Sequence, residues 1–228
     1  MKIPFLRDSE IAEAAGDLCD RAFAPHAWSI PILLDRLLFD YLCEEHGLIF
    51  SDEEPLDRID GIQVLGRTDL LAGRISIDSD LKQAEPRRYR FTVAHELGHW
   101  ILHRPLALAH RDQPELFPHG TVLVSKATDS SELTAASGTS MPVEWQANRF
   151  ASHLLVPRTH LVPEFRVRFG EKPPCLDPGV ALRVFARSLA RQCTAQLPPL
   201  IDAFDASTEA IAIAIEDSRL VSLQPLLL

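Results

Sequence analysis

Several things are scarce in this chain, and each scarcity excludes something. Long apolar runs are missing. The longest stretches, such as "AIAIAI" at 210–215, fall far short of the roughly 20 residues a membrane-spanning helix needs. No N-terminal stretch joins a basic start to a long apolar run, so a secretory leader is not expected, and the protein reads as cytoplasmic with no membrane partner. Cysteine is sparse and scattered: Cys19, Cys43, Cys175 and Cys193 form no CxxC pair and no framework spacing. Such residues are expected to be reduced thiols, and metal ligation by cysteine is not expected. Positive charge is also short. Lys plus Arg number 23 against 32 Asp plus Glu, a net charge of −9 that opposes general attraction to nucleic acid phosphates, so direct nucleic acid binding is not expected. One local basic stripe remains, Arg183, Arg187 and Arg191 at four-residue spacing, for which a solvated helix face is favoured over an anion site.

What is present suffices for a well-buried core. At 228 residues and 46% apolar content, the chain can form one core with an appendage, or two small domains. Residues 8–22 read as an amphipathic helix through Ile11, Ala14, Ala15 and Leu18, with Asp8 or Ser9 as N-cap. A second helix is expected from a Ser29 cap through Pro31 and the apolar series Ile32–Cys43, ending at Gly47. "LIF" (48–50), "IQVLG" (62–66) and "RISID" (74–78) favour strands, the last two separated by a turn in "RTDLLAG", so a small sheet follows. Pro86 opens a helix and Pro105 closes it. Residues 106–142 hold little to bury and are expected to be a mobile loop, a possible lid. A long helix lies between Pro142 and Pro157, and further helical patterns run to the end of the chain. This succession of elements is α+β.

The chemistry lies in "TVAHELGHWILH" (92–103), with His95, His99 and His103 at four-residue intervals and Glu96 directly after the first. Helical residues four apart stack with Cβ atoms about 5–6 Å apart, so His95 and His99 can aim ring nitrogens at one ion. Glu96 sits one position round, able to handle a proton without being a ligand, which is the physical content of an HExxH motif. Two imidazoles and a carboxylate suit Zn2+, with another divalent ion such as Mn2+ as the alternative. His103 lies about 12 Å along the axis from His95, too far to share a tetrahedral ion with it, and is expected to support or pack instead.

The third ligand must come from elsewhere. The HExxHxxGxxH arrangement is excluded, since its glycine position is Leu102 and its last histidine position is Pro105. His110, His119, His153, His160 and downstream carboxylates are the candidates, and Glu144 has the best surroundings. Its helix face runs through Ala147, Asn148, Ala151 and Ser152, small residues that permit close approach to the HExxH helix. His153 faces away from Glu144 on the same helix, and Asn148 can accept a hydrogen bond from the distal nitrogen of a ligating histidine. On geometry alone, an ordinary exposed glutamate near a helix start remains an equal reading of Glu144.

Two blocks carry a resemblance. "RRYRFTVAHELGHWILH" (87–103) and "EWQANRFASHLLVP" (144–157) resemble, in order and in proline placement, the two signature blocks of the ImmA/IrrE family of zinc metallopeptidases. With the strands before the first block, the likeness covers about residues 28–165. It implies a gluzincin-like arrangement, with His95, His99 and Glu144 as metal ligands and Glu96 as general base. It further implies a zincin-like metallopeptidase domain over 1–165, with a small β-sheet and the HExxH helix, and a helical appendage over 166–228. The sequence departs from the family pattern in the long polar segment before Glu144 and in Gln146, where the family often has glutamate. "LIDAFDASTEAIAIAIEDSRLV" (200–221) is similar to the helical region that often follows such a domain. Its Glu209, Glu216 and Asp217 against a single Arg219 oppose phosphate contact, so packing is its expected role.

The leading expectation is peptide-bond hydrolysis, with a divalent ion polarising the scissile carbonyl and Glu96 moving the proton. Tyr41, Tyr89 and several histidines are formally available as an oxyanion donor. The resemblance implies a selective protein substrate, such as a helix-turn-helix transcriptional repressor cut in a stress response. The competing expectation is a non-proteolytic, metal-binding stress sensor or regulatory interaction protein, which the intact Glu96 disfavours because a purely structural site needs no base.

Overall fold

The first helix, α1 (Asp8–Phe23), starts at Arg7, whose backbone N–H and guanidinium both bond the Glu10 carboxylate, at 2.7 and 3.0 Å. The cap is therefore one residue before the expected Asp8 and two before Ser9, because Glu10 reaches back to the chain before the first turn. The computed structural model of the protein describes residues 4–111, 121–127, 142–176, 179–194 and 196–223. The chain divides into one unit of Met1–Trp28 with Leu33–Leu154, and a second of Ser29–Ile32 with Leu155–Leu228. The short Ser29–Ile32 segment belongs with the second unit.

In the first unit, α1 buries Ile11, Ala15, Leu18, Cys19 and Phe23 along one stripe. The second helix covers 34–46, not 29–46: Leu34, Leu37, Leu38 and Leu42 supply its buried stripe, and Ser29 and Pro31 lie outside it. Its middle, Arg36–Cys43, is a π-helix that passes into α2 (Glu44–His46). Gly47 ends it with φ of 69°, a conformation that costs glycine nothing.

A small mixed sheet follows, built from β1 (Ile49–Ser51), β2 (Arg58–Ile59), β3 (Ile62–Asp69), β4 (Arg74–Ile77) and β5 (Val122–Lys126). β1 runs parallel to β4, β4 antiparallel to β3, and β5 and the short β2 both pair antiparallel with β3. β3 is longer than the expected "IQVLG". It continues through Thr68 and Asp69, and the turn occupies only residues 70–73. A bulge between Val64 and Gly66 shifts the register against β5.

The strand β5 corrects the expected loop over 106–142. "VLVSK" is β-prone, and Leu123 buries against Leu70, Ala107 and Val143, a local signal that the polar composition of the surrounding span conceals. Residues 112–120 and 128–141 of the expected mobile loop lie outside the described residues. α3 (Ser79–Ala84) is capped by Asp78, which accepts from Asp80 N at 3.1 Å. α4 (Pro86–Leu102) packs on β3, β4 and β5, α5 (Arg104–Ala109) follows with Pro105 in its first turn, and α6 (Pro142–Leu155) carries Glu144.

The second unit holds α7 (Arg158–Phe169), α8 (Leu182–Arg191), α9 (Leu200–Ala203), α10 (Thr208–Asp217) and a parallel pair, β6 (Cys175–Leu176) with β7 (Ser222–Leu223). Ser207 caps α10 by accepting from Ala210 N at 3.1 Å, and Ala210, Ile211, Ala212 and Ile215 are buried, as a packing role requires. The arginine stripe is solvated at Arg187 and Arg191, which are exposed, and partly covered at Arg183, and all three are engaged by α10 or the residue at its start. Arg183 forks onto Glu216 at 2.6 and 2.8 Å and onto Glu209 at 2.5 Å, Arg187 joins Glu209 at 2.6 Å, and Arg191 donates to Thr208 at 3.0 Å. α8 and α10 are zipped together by opposite charges that lie far apart in sequence.

The architecture is α+β. Among the described residues, no helix is long and apolar enough to cross a membrane.

Candidate metal centre

The four-residue spacing on α4 does what helical geometry demands. His95 Nε2 and His99 Nε2 point to one spot, 2.9 Å apart. Glu144 closes the group from α6, its Oε2 3.3 Å from His95 Nε2 and its Oε1 3.5 Å from His99 Nε2. A tetrahedral ion with bonds of about 2.0–2.1 Å separates its ligand atoms by roughly 3.3 Å, so this trio is positioned to hold a metal ion. His99 is fully buried, while the Glu144 side chain remains 32% exposed and marks the more open side.

α6 comes this close because of two small residues. A Cβ on Gly98 would sit 3.0 Å from Ala147 Cα and 3.1 Å from Ala147 O, so the glycine of "HELGH" is where the helices meet. Ala147 and Ala151 are fully buried along this face.

The electrostatics suit a cation. Burial pushes the Glu144 carboxyl upward, but hydrogen bonding and charge from His95 and His99, when these rings carry the proton that a cation would replace, outweigh it and hold Glu144 well below the usual carboxylate range. Burial pulls His95 down, and the Glu144 carboxylate more than offsets it, leaving His95 above its ordinary value. An anion held between two imidazoles, with little water near them, is a donor set that attracts positive charge.

Each imidazole is braced from behind. His95 Nδ1 lies 2.9 Å from Asn148 Oδ1, the partner expected for it one turn after Glu144. His99 Nδ1 lies 3.1 Å from His103 Nδ1, and His103 Nε2 lies 3.0 Å from Gln146 Oε1. His103 is thus not within the ligand trio. Burial, followed by the neighbouring His99, pulls it down to about 3, so it is neutral at ordinary pH.

Glu96 is fully buried and held on both oxygens. Thr68 Oγ1 donates to Oε2 at 2.6 Å, and Ser125 Oγ donates to Oε1. Gly66, beside the bulge, gives the carboxylate its space, since a Cβ there would lie 2.5 Å from Oε1. Gly66 and Thr68 share one face of β3, and Ser125 on β5 pairs with Gly66. None of these three is marked by the sequence as a partner of Glu96. Only the bulge after Val64 could have flagged Gly66, and bulges leave no reliable local mark.

The other candidates lie elsewhere. His153 Nε2 bonds Asp8 at 2.9 Å, facing away from Glu144 as expected. His160 bonds Thr159 Oγ1 at 3.2 Å, and His110 lies outside the trio, whereas His119 falls outside the described residues. Of the tyrosines, Tyr89 donates to Asp52 at 2.6 Å, and Tyr41 packs edge-on to His46 at 4.5 Å. Compared with known proteins, the chain matches no family model and no curated protein.

Proposed function

We propose that this chain is a zinc-dependent endopeptidase of zincin-like, gluzincin type, working in the cytoplasm on a protein substrate. The resemblance of its two signature blocks to the ImmA/IrrE family supports a selective substrate, a helix-turn-helix transcriptional repressor in a stress response. The observation that carries the reading is the convergence of His95 Nε2, His99 Nε2 and the Glu144 carboxylate, with a further carboxylate, Glu96, next in sequence to a ligand but outside the trio.

His95, His99 and Glu144 would hold the ion. When bound, a divalent ion there polarises a peptide carbonyl and acidifies water. Zn2+ suits two imidazole nitrogens and a carboxylate, while Mn2+ prefers oxygen-rich sets and is the alternative. Glu96 takes a proton and later returns it to the leaving amine. Thr68 and Ser125 aim its carboxylate, each occupying one lone pair of one oxygen and leaving others for the transferred proton. The scattered spacing of Cys19, Cys43, Cys175 and Cys193, without a CxxC pair, supports a reducing compartment.

One observation favours the second reading, a metal-binding sensor without hydrolysis: Glu96 is fully buried with both oxygens engaged. The two readings part on Glu96→Gln, compared with wild type for zinc content and for cleavage of repressors encoded beside the gene. Equal zinc content with cleavage only by the wild type supports the peptidase. Zinc uptake by both with no cleavage by either overturns it in favour of the sensor.

A further inference from the structure

The hydrogen bonds behind His99 run in one direction, and that direction is set at the N-terminal segment. Pro4 O can only accept. It takes a hydrogen bond from Gln146 Nε2 at 2.9 Å, which turns the opposite atom of that amide, Oε1, toward His103. Oε1 can only accept as well, so His103 Nε2, 3.0 Å away, carries a proton. Gln146 and His103 are each 1% exposed, so water does not compete for either.

His103 is buried with an amide oxygen and a second imidazole as its ring partners and, among the described residues, no carboxylate bonded to it, so it is held as the neutral ring, which has one N–H. With its proton on Nε2, His103 offers Nδ1 as an acceptor, and the proton in the 3.1 Å contact with His99 Nδ1 belongs to His99. That leaves His99 Nε2 with a bare lone pair, aimed at His95 Nε2 and Glu144. The terminus of this chain of bonds is itself held down on α6. Phe5 stacks on Trp145 with centroids 5.3 Å apart, and Asp8 accepts from Arg149 at 2.6 Å and bonds His153 at 2.9 Å.

We propose that Pro4, Gln146 and His103 form a positioning relay, by which the N-terminal segment holds His99 in the tautomer that presents its Nε2 lone pair to a cation. The relay rests on the metal reading above and adds positioning residues to it. It also gives Gln146 a reason to differ from glutamate. A carboxylate accepts from His103 equally well but has no proton to give Pro4 O, so glutamate would keep the tautomer and release the segment.

The test uses the full-length protein labelled with 15N-histidine, with and without zinc. Two-bond 1H–15N spectra report the tautomer of each ring directly, and zinc affinity is read by competition with a chelating indicator. The wild type is expected to show His103 protonated on Nε2 and His99 on Nδ1. Gln146→Leu is expected to lose the single His103 tautomer and to bind zinc about 10-fold more weakly, the usual scale for losing such a partner. Gln146→Glu is expected to keep the tautomer and to bind zinc close to wild type, a rescue that a purely packing role for Gln146 would not produce. His103 protonated on Nδ1 in a zinc-loaded wild type overturns the relay alone, as does Gln146→Leu binding zinc as tightly as wild type. A wild type that takes up no zinc overturns the metal reading and the relay together. If Gln146→Leu does not fold, the wild-type spectrum and Gln146→Glu still decide.

Discussion

Gly98 and Ala147 meet backbone to backbone: the hydrogen on Gly98 where a side chain would start faces Ala147 Cα, 3.0 Å from an added Cβ. That contact sets the distance from the histidines of α4 to Glu144 on α6. Alanine at 98 has rigid backbone rather than a yielding side chain to displace. Gly98→Ala is therefore expected to destabilise the protein by about 1–3 kcal/mol, although alanine is the better helix former. Zinc affinity should fall with it. Gly16, on α1 with nothing within 4 Å, is the control: Gly16→Ala should stabilise by about 0.4–1 kcal/mol. Denaturant titration of the two variants measures the opposite signs, and equal signs would contradict the contact.

Gly66 poses a different problem, because its obstacle is the end of the Glu96 side chain rather than backbone. Gly66→Ala should push the carboxylate off Thr68 and Ser125 while the fold survives. Cleavage of a substrate is expected to drop by about 100-fold, the scale of an ångström-level misplacement, with zinc content unchanged. Parallel measurement of bound zinc and of turnover checks this, and full activity would show that the space at Gly66 does not hold Glu96 in place.

The α8–α10 ion pairs predict a pH window. Burial pushes Glu209 upward, but Arg187 and Arg183 outweigh it and lower its value in the folded state. A depressed carboxylate contributes stability above its unfolded value of about 4.3, and this contribution is lost as pH falls through the lower folded value. Arg183→Met is expected to cost about 2 kcal/mol at pH 7, since it removes charged hydrogen bonds to Glu209 and Glu216 that are only partly exposed. The stabilities of variant and wild type should converge as pH falls through the lowered folded value of Glu209, and a constant gap across pH would refute the pairing.

Metal removal gives a further check. An ion bound only by the native state stabilises it by about 2.7 kcal/mol at 100 times its dissociation constant. Chelation should lower the melting temperature of the wild type and leave Glu144→Ala, already without its carboxylate, nearly unchanged. Calorimetry with and without chelator reads the difference.

Much of the site was written in local spacing. Residues four apart on a helix face one way whatever surrounds them, so His95 and His99 could be paired from the sequence alone, and the small residues after Glu144 marked a face for close packing. The strand β5 is hard to read from the sequence because its five-residue β-prone signal is diluted within a long polar span. Serine and proline at 29 and 31 imitate a helix start, but the helix itself begins only at Leu34: the Ser29–Ile32 segment before it belongs with the second unit, and Ile32 is already buried there without being helical.

By itself, then, the sequence determined the helical pairing of the two imidazoles, the glutamate between them, and the acidic, cysteine-poor character of the chain, since these depend on residue type and on a fixed rise per residue. Tertiary structure decided the rest. Ser125 reaches Glu96 across 29 positions, Gln146 reaches His103 across 43, and Pro4 reaches Gln146 across 142. Contacts of that separation depend on how α4, α6 and the sheet pack, a cooperative outcome that no local pattern of residues encodes.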